Sequence, residues 1–391
     1  MRSKIITSLF VAGVLLATPL TSQTASALSL SRLPVPAGIH AAPGVGSVTV
    51  SWVPLAQSAV TYTVSSMPVG KSCQVIDAAS CSFSVTTSTK FRYRVTAAAA
   101  GWLPSSTPLT GALPHRLILI LAGQSNVEGA ESYAIDPSTL VNYFASPYLT
   151  TADSLDKLLW LPWNELPAKT AGPVSLDAAQ YAMTATGGKG PHIFGPEIGL
   201  ARQSYADTLR PLTIIKASLG AGTLASYWLP GSPTNAYAGL VSTVLHQMAA
   251  DAALGKLDTI GGVYWYQGES DSLNASDAAS YATNLSSMIG GLRSDLPMDP
   301  TAPVALAKSS LAPWISFARA FGSCPPDNCD AYALGDEQVR AADDWVATTL
   351  PHVVTVDTAD LPRAPLAIHL TNIAELTLGE RLAQATDLLM P

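Results

Sequence analysis

The 391-residue sequence predicts two folds in succession, a small all-β sandwich and then a larger α/β domain. Between residues 34 and 112, apolar side chains alternate with polar ones, which is the period of half-buried strands. From Arg116 onward, short apolar runs alternate with longer helical stretches, the pattern of a parallel sheet with crossover helices. Hydrophobic residues make up 48% of the chain and charged residues 13%, so a large buried core is expected.

The first 27 residues have the features of a secretory signal. Arg2 and Lys4 give a positively charged start, residues 5–17 are apolar, and residues 25–27 form a small-x-small cleavage site. The alternative is a membrane anchor, but the apolar stretch is short for a span, which needs about 20 residues. We therefore expect a secreted mature chain that begins near Leu28. The net charge of −7, without a basic run, argues against nucleic-acid and membrane partners.

The chain has four cysteines, a number that fits an oxidising compartment. Cys73 is close in sequence to Cys81, and Cys324 is close to Cys329. Four cysteines allow three pairings, and the local one is favoured because each bond would close a short loop. The alternative is a metal site, which is disfavoured because no histidine cluster lies beside either pair. We expect no metal and no other cofactor.

Two stretches of the all-β region have the character of a known domain family. Residues 48–55 form a strand pattern that carries Trp52, and residues 91–106 read as a late strand with its following turn. Both stretches resemble a fibronectin type III domain. The resemblance implies a β-sandwich over residues 34–112, which serves as a spacer or, alternatively, binds sugar.

Five short apolar runs, each bounded by turn residues, are the predicted strands of the α/β domain, residues 116–391. Such runs suit strands that are buried on both faces of a parallel sheet. The predicted strands are 117–121, 212–217, 262–266, 303–307 and 353–356. The predicted helices are 196–205, 236–254, 275–292, 336–350 and 372–389. Residues 130–195 are irregular and rich in Trp, Pro and Gly, so they are expected to frame a site rather than build the sheet.

The predicted site begins with a serine just past the first of these strands, in LAGQSNVEG. Ligands bind at the carboxyl ends of parallel strands, so Ser125 is well placed to react. A helix that opens with Ser125 and Asn126 would direct backbone amides at a developing oxyanion. A serine in such a turn is more often structural, so this motif needs support from elsewhere in the chain.

The next two strands also end in polar or glycine-rich segments, KASLGAGTLASYW and YWYQGESD. Gly220 and Gly222 allow backbone amides to approach a ligand closely, although a tight turn would explain them equally well. Gln267 could direct its side-chain amide at the same oxyanion, or it could hold a loop. Glu269 and Asp271 follow directly, in a place where carboxylates are costly unless they have partners.

Near the C-terminus, a histidine precedes the last predicted helix in IHLTNIAELTLGERLA. Histidine has the unperturbed pKa that suits a general base near neutral pH. A lone histidine is more often structural, but His369 follows the serine, the glycine block and the glutamine in a fixed order.

These four blocks together resemble those of the SGNH hydrolases, in particular the branch of sialate O-acetylesterases and carbohydrate acetylesterases. The resemblance covers residues 117–388. It implies a three-layer αβα sandwich with a five-stranded parallel sheet.

The resemblance also implies roles for individual residues. Ser125 would be the nucleophile and His369 the base, while Gly220, Gly222 and Gln267 would stabilise the oxyanion. Residues assigned to substrate binding lie inside the same blocks. They are Gln124, Asn126 and Trp228.

One position departs from the family pattern. The family has an aspartate three residues before the histidine, where this chain has Leu366. Glu269 is the first candidate to replace it as partner of His369, because it follows the oxyanion glutamine at a strand end. Asp357 or Asp360 is the second candidate, and a backbone carbonyl or water, leaving a Ser–His dyad, is the third.

The sequence therefore predicts a secreted serine esterase that removes O-acetyl groups from carbohydrates through an acyl-enzyme. Sialic acid, xylan and related glycans are the expected substrates. One alternative is a decayed esterase that only binds carbohydrate, for which Leu366 is the best evidence. Another is a lipase or thioesterase of the same fold, which would prefer long acyl chains.

Overall fold

The computed structural model describes residues 30–136, 138–143, 145, 150–162, 173–176, 193–364 and 368–387. The predicted signal, residues 1–27, and Leu366 lie outside the described residues. Within the ranges described, no helix is both long and apolar enough to cross a membrane.

Seven short strands precede the α/β part and form two antiparallel sheets, in the orders β1-β2-β5 and β4-β3-β6-β7. The strands are β1 Ala37–Gly44, β2 Ser47–Val53, β3 Thr61–Met67, β4 Ser72–Ile76, β5 Ser80–Ser84, β6 Arg92–Ala98 and β7 Ser105–Ser106. Alternate side chains are buried between the two sheets, among them Val48, Trp52, Tyr62 and Val95. The period of two in the sequence arises because only one face of each sheet packs against the other.

The main sheet has the order β10-β9-β11-β8-β12-β13-β14. Its strands are β8 His115–Gly123, β9 Lys157–Pro162, β10 Val174–Ser175, β11 Leu212–Ser218, β12 Leu257–Gln267, β13 Val304–Lys308 and β14 Val353–Asp357. All neighbours are parallel except β9 and β10. The α/β prediction with a mostly parallel sheet is thus confirmed.

The expected number of five strands is corrected to seven among the described residues. The five predicted strands are all present, and the two additional ones extend one edge of the sheet. They come from the segment 130–195, which was expected to be irregular. Leu158 and Trp160 of β9 are nevertheless buried beside β11, so tertiary packing outweighs the loop-like composition around them.

Helices cover both faces of the main sheet. They are α1 Ser125–Glu128, α2 Thr151–Leu155, α3 Glu197–Thr208, α4 Leu224–Tyr227, α5 Ala236–Ala253, α6 Glu269–Ser272, α7 Ala275–Asp295, α8 Ala312–Ala320, α9 Pro326–Thr349 and α10 Asn372–Asp387. Helices α5, α7 and α9 pack on the face that presents Ile118 and Ile120, whereas α3 and α10 pack on the face of Leu119 and Leu121. Among the helices longer than five residues, two differ from expectation: α9 begins at Pro326 rather than 336, because proline suits a first helical turn, and α8 was not predicted.

Two disulfides follow the local pairing that the sequence predicts, which is thereby confirmed. Cys73–Cys81 joins β4 to β5 and so links the two sheets of the all-β part. Cys324–Cys329 joins the segment after α8 to the first turn of α9. Across the described ranges, no group of three His, Cys, Asp or Glu side chains is arranged to hold a metal ion.

Candidate active site

Three of the strand ends that the sequence points to lie side by side. Gly123, the last residue of β8, pairs with Ser218 of β11 on one side and with Tyr266 of β12 on the other. A Cβ atom at Gly123 would overlap the carbonyl oxygen of Tyr266, so only glycine permits this close approach. The segments after these strands therefore leave the sheet at one shared edge, its carboxyl edge.

Ser125 begins α1, and its hydroxyl reaches a histidine that is 244 positions away in the sequence. The distance from Ser125 Oγ to His369 Nε2 is 3.1 Å, which is a hydrogen-bond distance. Both side chains are half-buried and line the same cavity. The arrangement is the one that nucleophilic catalysis by a serine and a base requires.

The other ring nitrogen of His369 faces a carboxylate that the sequence did not point to. Nδ1 lies 3.3 Å from Glu131 Oε2, at ion-pair distance but without the alignment of a good hydrogen bond. Burial lowers the pKa of His369 and the Glu131 carboxylate raises it, with a net pKa below the ordinary value. The ring is therefore neutral near pH 7 and can accept a proton at Nε2.

Glu269, the expected partner of His369, has a different contact. It is only 3% exposed, and its Oε1 accepts a hydrogen bond from Asn126 Nδ2 at 2.7 Å. Burial raises the pKa of this carboxyl group. Glu131 takes the place beside the ring, so the prediction that Glu269 is the direct partner is wrong.

Asp357 and Asp360, the second candidates for the partner of His369, form ion pairs with arginines instead. Asp357 pairs with Arg340 at 3.0 Å, and Asp360 pairs with Arg381 at 2.7 Å. Arg381 contacts both oxygens of Asp360, whereas Arg340 contacts one oxygen of Asp357. Neither aspartate is the partner of His369.

Asn126 is fully buried and connects the serine turn to the histidine loop. Its Nδ2 donates to Glu269, and its Oδ1 accepts from the backbone amide of Leu370 at 2.9 Å. Leu370 directly follows His369, so this bond fixes the loop that presents the imidazole. The assignment of Asn126 to substrate binding is corrected, because a side chain with no exposed surface cannot contact substrate.

Gln267 does not direct its amide at a ligand. It is fully buried, and its Nε2 lies 2.5 Å from Asp271 Oδ2, 3.0 Å from the Gly222 carbonyl oxygen and 3.2 Å from Gln124 Oε1. An amide nitrogen carries two protons, so these acceptors use its donor capacity. Asp271 also accepts from the Leu224 amide at 3.0 Å. The predicted oxyanion role of Gln267 is thus replaced by the alternative, a side chain that holds loops together.

The glycine block forms a tight turn. The Gly222 amide donates to the Leu219 carbonyl oxygen at 3.0 Å, so it is not directed at the cavity, and its predicted role is corrected. Gly220 is half-buried, and Ala221 beside it lines the cavity with a left-handed φ of 57°. A backbone amide near Gly220 as an oxyanion donor stays a prediction.

The two remaining substrate-binding predictions differ in outcome. Gln124 lines the cavity, although it is only 4% exposed and its Oε1 accepts from Gln267. Trp228 is 1% exposed and packs edge-on against Trp265, with ring centroids 5.1 Å apart. Trp228 therefore belongs to the core beneath the sheet edge, and its assignment to substrate binding is corrected.

The cavity at Ser125 and His369 has a volume of about 340 Å³ and a largely apolar wall. The sequence did not single out the residues that form this wall. They are Leu273, Leu311, Trp314 and Ile368. Leu311, Trp314 and Ile368 pack in one cluster with Cys324 and Cys329, so the second disulfide supports the wall from behind.

A larger cavity, of about 740 Å³, lies between β9 and α5. Arg116 and Lys256, near the amino ends of β8 and β12, also line it. Neither Ser125 nor His369 lines this cavity, so it is separate from the predicted chemistry.

Comparison with known families gives one match over most of the chain. A family model described as "Carbohydrate esterase, sialic acid-specific acetylesterase" matches residues 115–387. Among curated proteins, a probable carbohydrate esterase of Arabidopsis thaliana is 36% identical over 126 residues. That match covers 32% of this chain and 40% of the relative, so the chain aligns with less than half of that protein.

Solved structures show more distant similarity. An Arabidopsis thaliana protein is 24% identical with a TM-score of 0.49, covering 71% of this chain and 100% of that one. A carbohydrate acetylesterase from Xanthomonas citri is 18% identical with a TM-score of 0.47, covering 92% of this chain and 74% of that one. At TM-scores below 0.5, neither similarity bears on the chemistry of this chain.

Proposed function

Because the chain belongs to the carbohydrate esterase family of sialic acid-specific acetylesterases, we propose that it is a serine esterase that removes O-acetyl groups from carbohydrates. One observation carries the proposal, the 3.1 Å between Ser125 Oγ and His369 Nε2 at the edge of an open cavity. A neutral histidine at that distance can take the hydroxyl proton.

In the proposed reaction, Ser125 Oγ attacks the acetyl carbonyl carbon while His369 Nε2 takes its proton. The tetrahedral intermediate collapses, His369 returns the proton to the sugar oxygen, and the sugar leaves with its free hydroxyl group. Water then attacks the acetyl-serine with His369 as base, which releases acetate and restores Ser125. No cofactor takes part in any of these steps.

Two of the predicted oxyanion donors, the Gln267 side-chain amide and the Gly222 backbone amide, already donate to acceptors within the protein. We assign the role to the backbone amide of Ser125 and to a backbone amide near Gly220. Donors of this kind act on the charge that develops in the transition state, and losing one typically costs ~10²–10³ in kcat.

The apolar wall supports a small acyl group on a sugar. Trp314 and Leu273 offer flat and branched surfaces for the acetyl methyl group and the apolar face of a pyranose ring. A cavity of about 340 Å³ is at the small end of ligand pockets, which disfavours the long acyl chain of a lipase substrate. The proposed substrate is an O-acetylated carbohydrate, with sialic acid, xylan and related glycans as the candidates.

The remaining parts of the chain fit an extracellular enzyme. We propose that residues 1–27 direct secretion and that the two disulfides form outside the cytoplasm. We propose further that residues 34–112 form a fibronectin type III-like module that acts as a spacer or binds glycan. Detection of the chain, cleaved near Leu28, in the medium of an expressing culture would support the first point, and an uncleaved cell-bound chain would refute it.

The test of the function is acetate release from acetylated sialic acid and acetylated xylan, together with hydrolysis of nitrophenyl esters of increasing chain length. We expect the rate to fall from acetyl to octanoyl esters, whereas the opposite order would favour the lipase alternative. Ser125→Ala should lose roughly 10⁴-fold or more in kcat. The matched control is Ser286→Ala, which removes a half-buried hydroxyl bonded within α7. Activity in Ser125→Ala equal to that of the control would refute the proposal and favour a protein that only binds carbohydrate.

A further inference from the structure

The environment of His369 contains one contact that the family pattern does not supply. From it we infer that Glu131 is the positioning acid of this site, delivered by the turn just after the nucleophile rather than by the loop before the histidine. The inference rests on the proposed esterase function. It assigns to Glu131 the task of holding Nδ1 protonated and stabilising the imidazolium that forms when Ser125 loses its proton.

The backbone after Ser125 is shaped to bring Glu131 back toward the histidine. Gly129 ends α1 with a left-handed φ of 92°, and its amide donates to the carbonyl oxygens of Ser125 and Asn126. A Cβ atom at Gly129 would overlap the backbone of Phe194, so no residue with a side chain fits at this position. Glu131 follows with a φ of 65°, a second left-handed conformation within three residues. Two left-handed residues so close together set the direction in which the chain leaves α1.

Both sides of this turn are bonded to the elements that flank His369. Before it, Asn126 Oδ1 accepts from the Leu370 amide at 2.9 Å. After it, Asn372 at the start of α10 donates from its side chain to the Tyr133 carbonyl oxygen. The positions of Glu131 and of the histidine ring are thus fixed relative to each other by bonds on either side.

A buried ion pair, Lys216–Glu197, contacts the last carbonyl group of α1. Lys216 Nζ lies 3.0 Å from Glu197 Oε2, and both side chains are fully buried. The same Nζ donates to the Glu128 carbonyl oxygen at 3.0 Å. A buried charge in this position is stable only with such partners, so the last carbonyl of α1 is firmly anchored.

The charges around the ring are few among the described residues. Glu131 raises the pKa of His369, and the guanidinium of Arg363 lowers it. Glu269 lines the same cavity, but it accepts from Asn126. The Glu131 side chain is 32% exposed and that of His369 is 21% exposed, so solvent weakens their interaction without abolishing it.

The test compares Glu131→Gln, Glu131→Asp and the control Asp136→Asn in nitrophenyl acetate hydrolysis across pH. The control removes a negative charge from the same segment, at a carboxylate that bonds Ser138 and Thr139 instead of the histidine.

We expect Glu131→Gln to lower kcat roughly 10- to 100-fold with little change in KM. The loss is smaller than for a buried triad aspartate because solvent screens the interaction. The acidic limb of its kcat/KM profile should move to lower pH, because His369 loses the carboxylate that raises its pKa. Glu131→Asp should recover part of the rate, and Asp136→Asn should match the wild type.

Two results would overturn the role of Glu131. One is an unchanged kcat and acidic limb in Glu131→Gln. The other is a lower kcat with no shift of the limb and no recovery in Glu131→Asp, which would show a purely structural effect. A readout independent of catalysis separates this proposal from the proposed function: NMR titration of His369 in the Ser125→Ala background. There, Glu131→Gln should lower the pKa of His369 whether or not the chain hydrolyses esters, and an unchanged pKa would refute the contact.

Discussion

Glu131 and Glu269 both lie close to the Ser125–His369 pair, but they differ in burial and in what they bind. Glu269 is 3% exposed, accepts from Asn126 at 2.7 Å, and has a pKa raised by burial. Glu131 has a side chain that is 32% exposed and lies 3.3 Å from His369 Nδ1.

Contact geometry separates the roles of the two carboxylates. Glu131 Oε2 lies at ion-pair distance from the ring nitrogen, whereas the hydrogen bond that Glu269 accepts comes from Asn126. We therefore assign Glu269 to loop architecture and Glu131 to the histidine.

The largest effect on stability is expected from Asn126→Ala, which removes the link between Glu269 and the histidine loop. The change leaves the Glu269 carboxylate and the Leu370 amide without their partner. Two buried groups left unsatisfied should lower the free energy of unfolding by about 2–4 kcal/mol. Urea denaturation measures this, and kcat should fall as well because the loop is no longer fixed.

The control for this change is Asn284→Ala, at a half-buried asparagine that bonds Ser280 within α7. A surface-like change of this kind should stay within ~0.5 kcal/mol of wild type. Glu131→Ala should behave like the control in stability, while it lowers kcat. Equal stability of Asn126→Ala and Asn284→Ala would contradict the structural role of the Glu269 contact.

The two disulfides should contribute similarly to stability but differ in their effect on the cavity wall. Replacing both cysteines of either pair by serine should cost about 2–3 kcal/mol in the chain-entropy model. Only the Cys324–Cys329 pair packs with Leu311 and Trp314, so only its loss should raise KM for an acetylated sugar. An unchanged KM, or an equal rise on loss of Cys73–Cys81, would show that the disulfide does not support the wall.

The smallest expected effect is the contribution of Glu269 to the pH dependence of the free energy of unfolding. Burial raises its pKa above the unfolded value, which is about 4.3, so the folded chain loses stability as the pH rises from that value through the folded pKa. Glu269→Gln keeps an acceptor for Asn126 and removes this loss. Relative to wild type, the variant should therefore gain stability between pH 4 and pH 8.

Urea denaturation at both pH values gives the measurement, with wild type as the comparison. The same pH dependence in wild type and Glu269→Gln would show that the carboxyl group is not penalised by burial.

The strand ends were predictable from the sequence because parallel strands in a sheet share one carboxyl edge. The apolar runs before Ser125 and Gln267 mark their strands clearly, and the order of the motifs led to His369. The structure brings Ser125 and His369 to hydrogen-bond distance. The edge strands β9 and β10 were missed because their composition is that of a loop.

The contacts of individual side chains were harder to predict. Gln267 contacts acceptors from three different segments, which no linear motif reveals. Glu131 depends on two left-handed residues in a tight turn, and these set its direction. A signal was present in the sequence, a glycine followed closely by a glutamate after the nucleophile, but position along the chain gives no side-chain direction. Trp228 was misassigned because membership in a motif block does not distinguish a core residue from a surface one.

The most direct test of the account is covalent labelling of the native protein with a fluorophosphonate, followed by peptide mapping. We predict a single adduct on the peptide that contains Ser125, with much slower labelling in His369→Ala because the hydroxyl group loses its base. An adduct on another serine, or labelling that proceeds at the same rate in His369→Ala, would contradict the assignment of Ser125 as the nucleophile activated by His369.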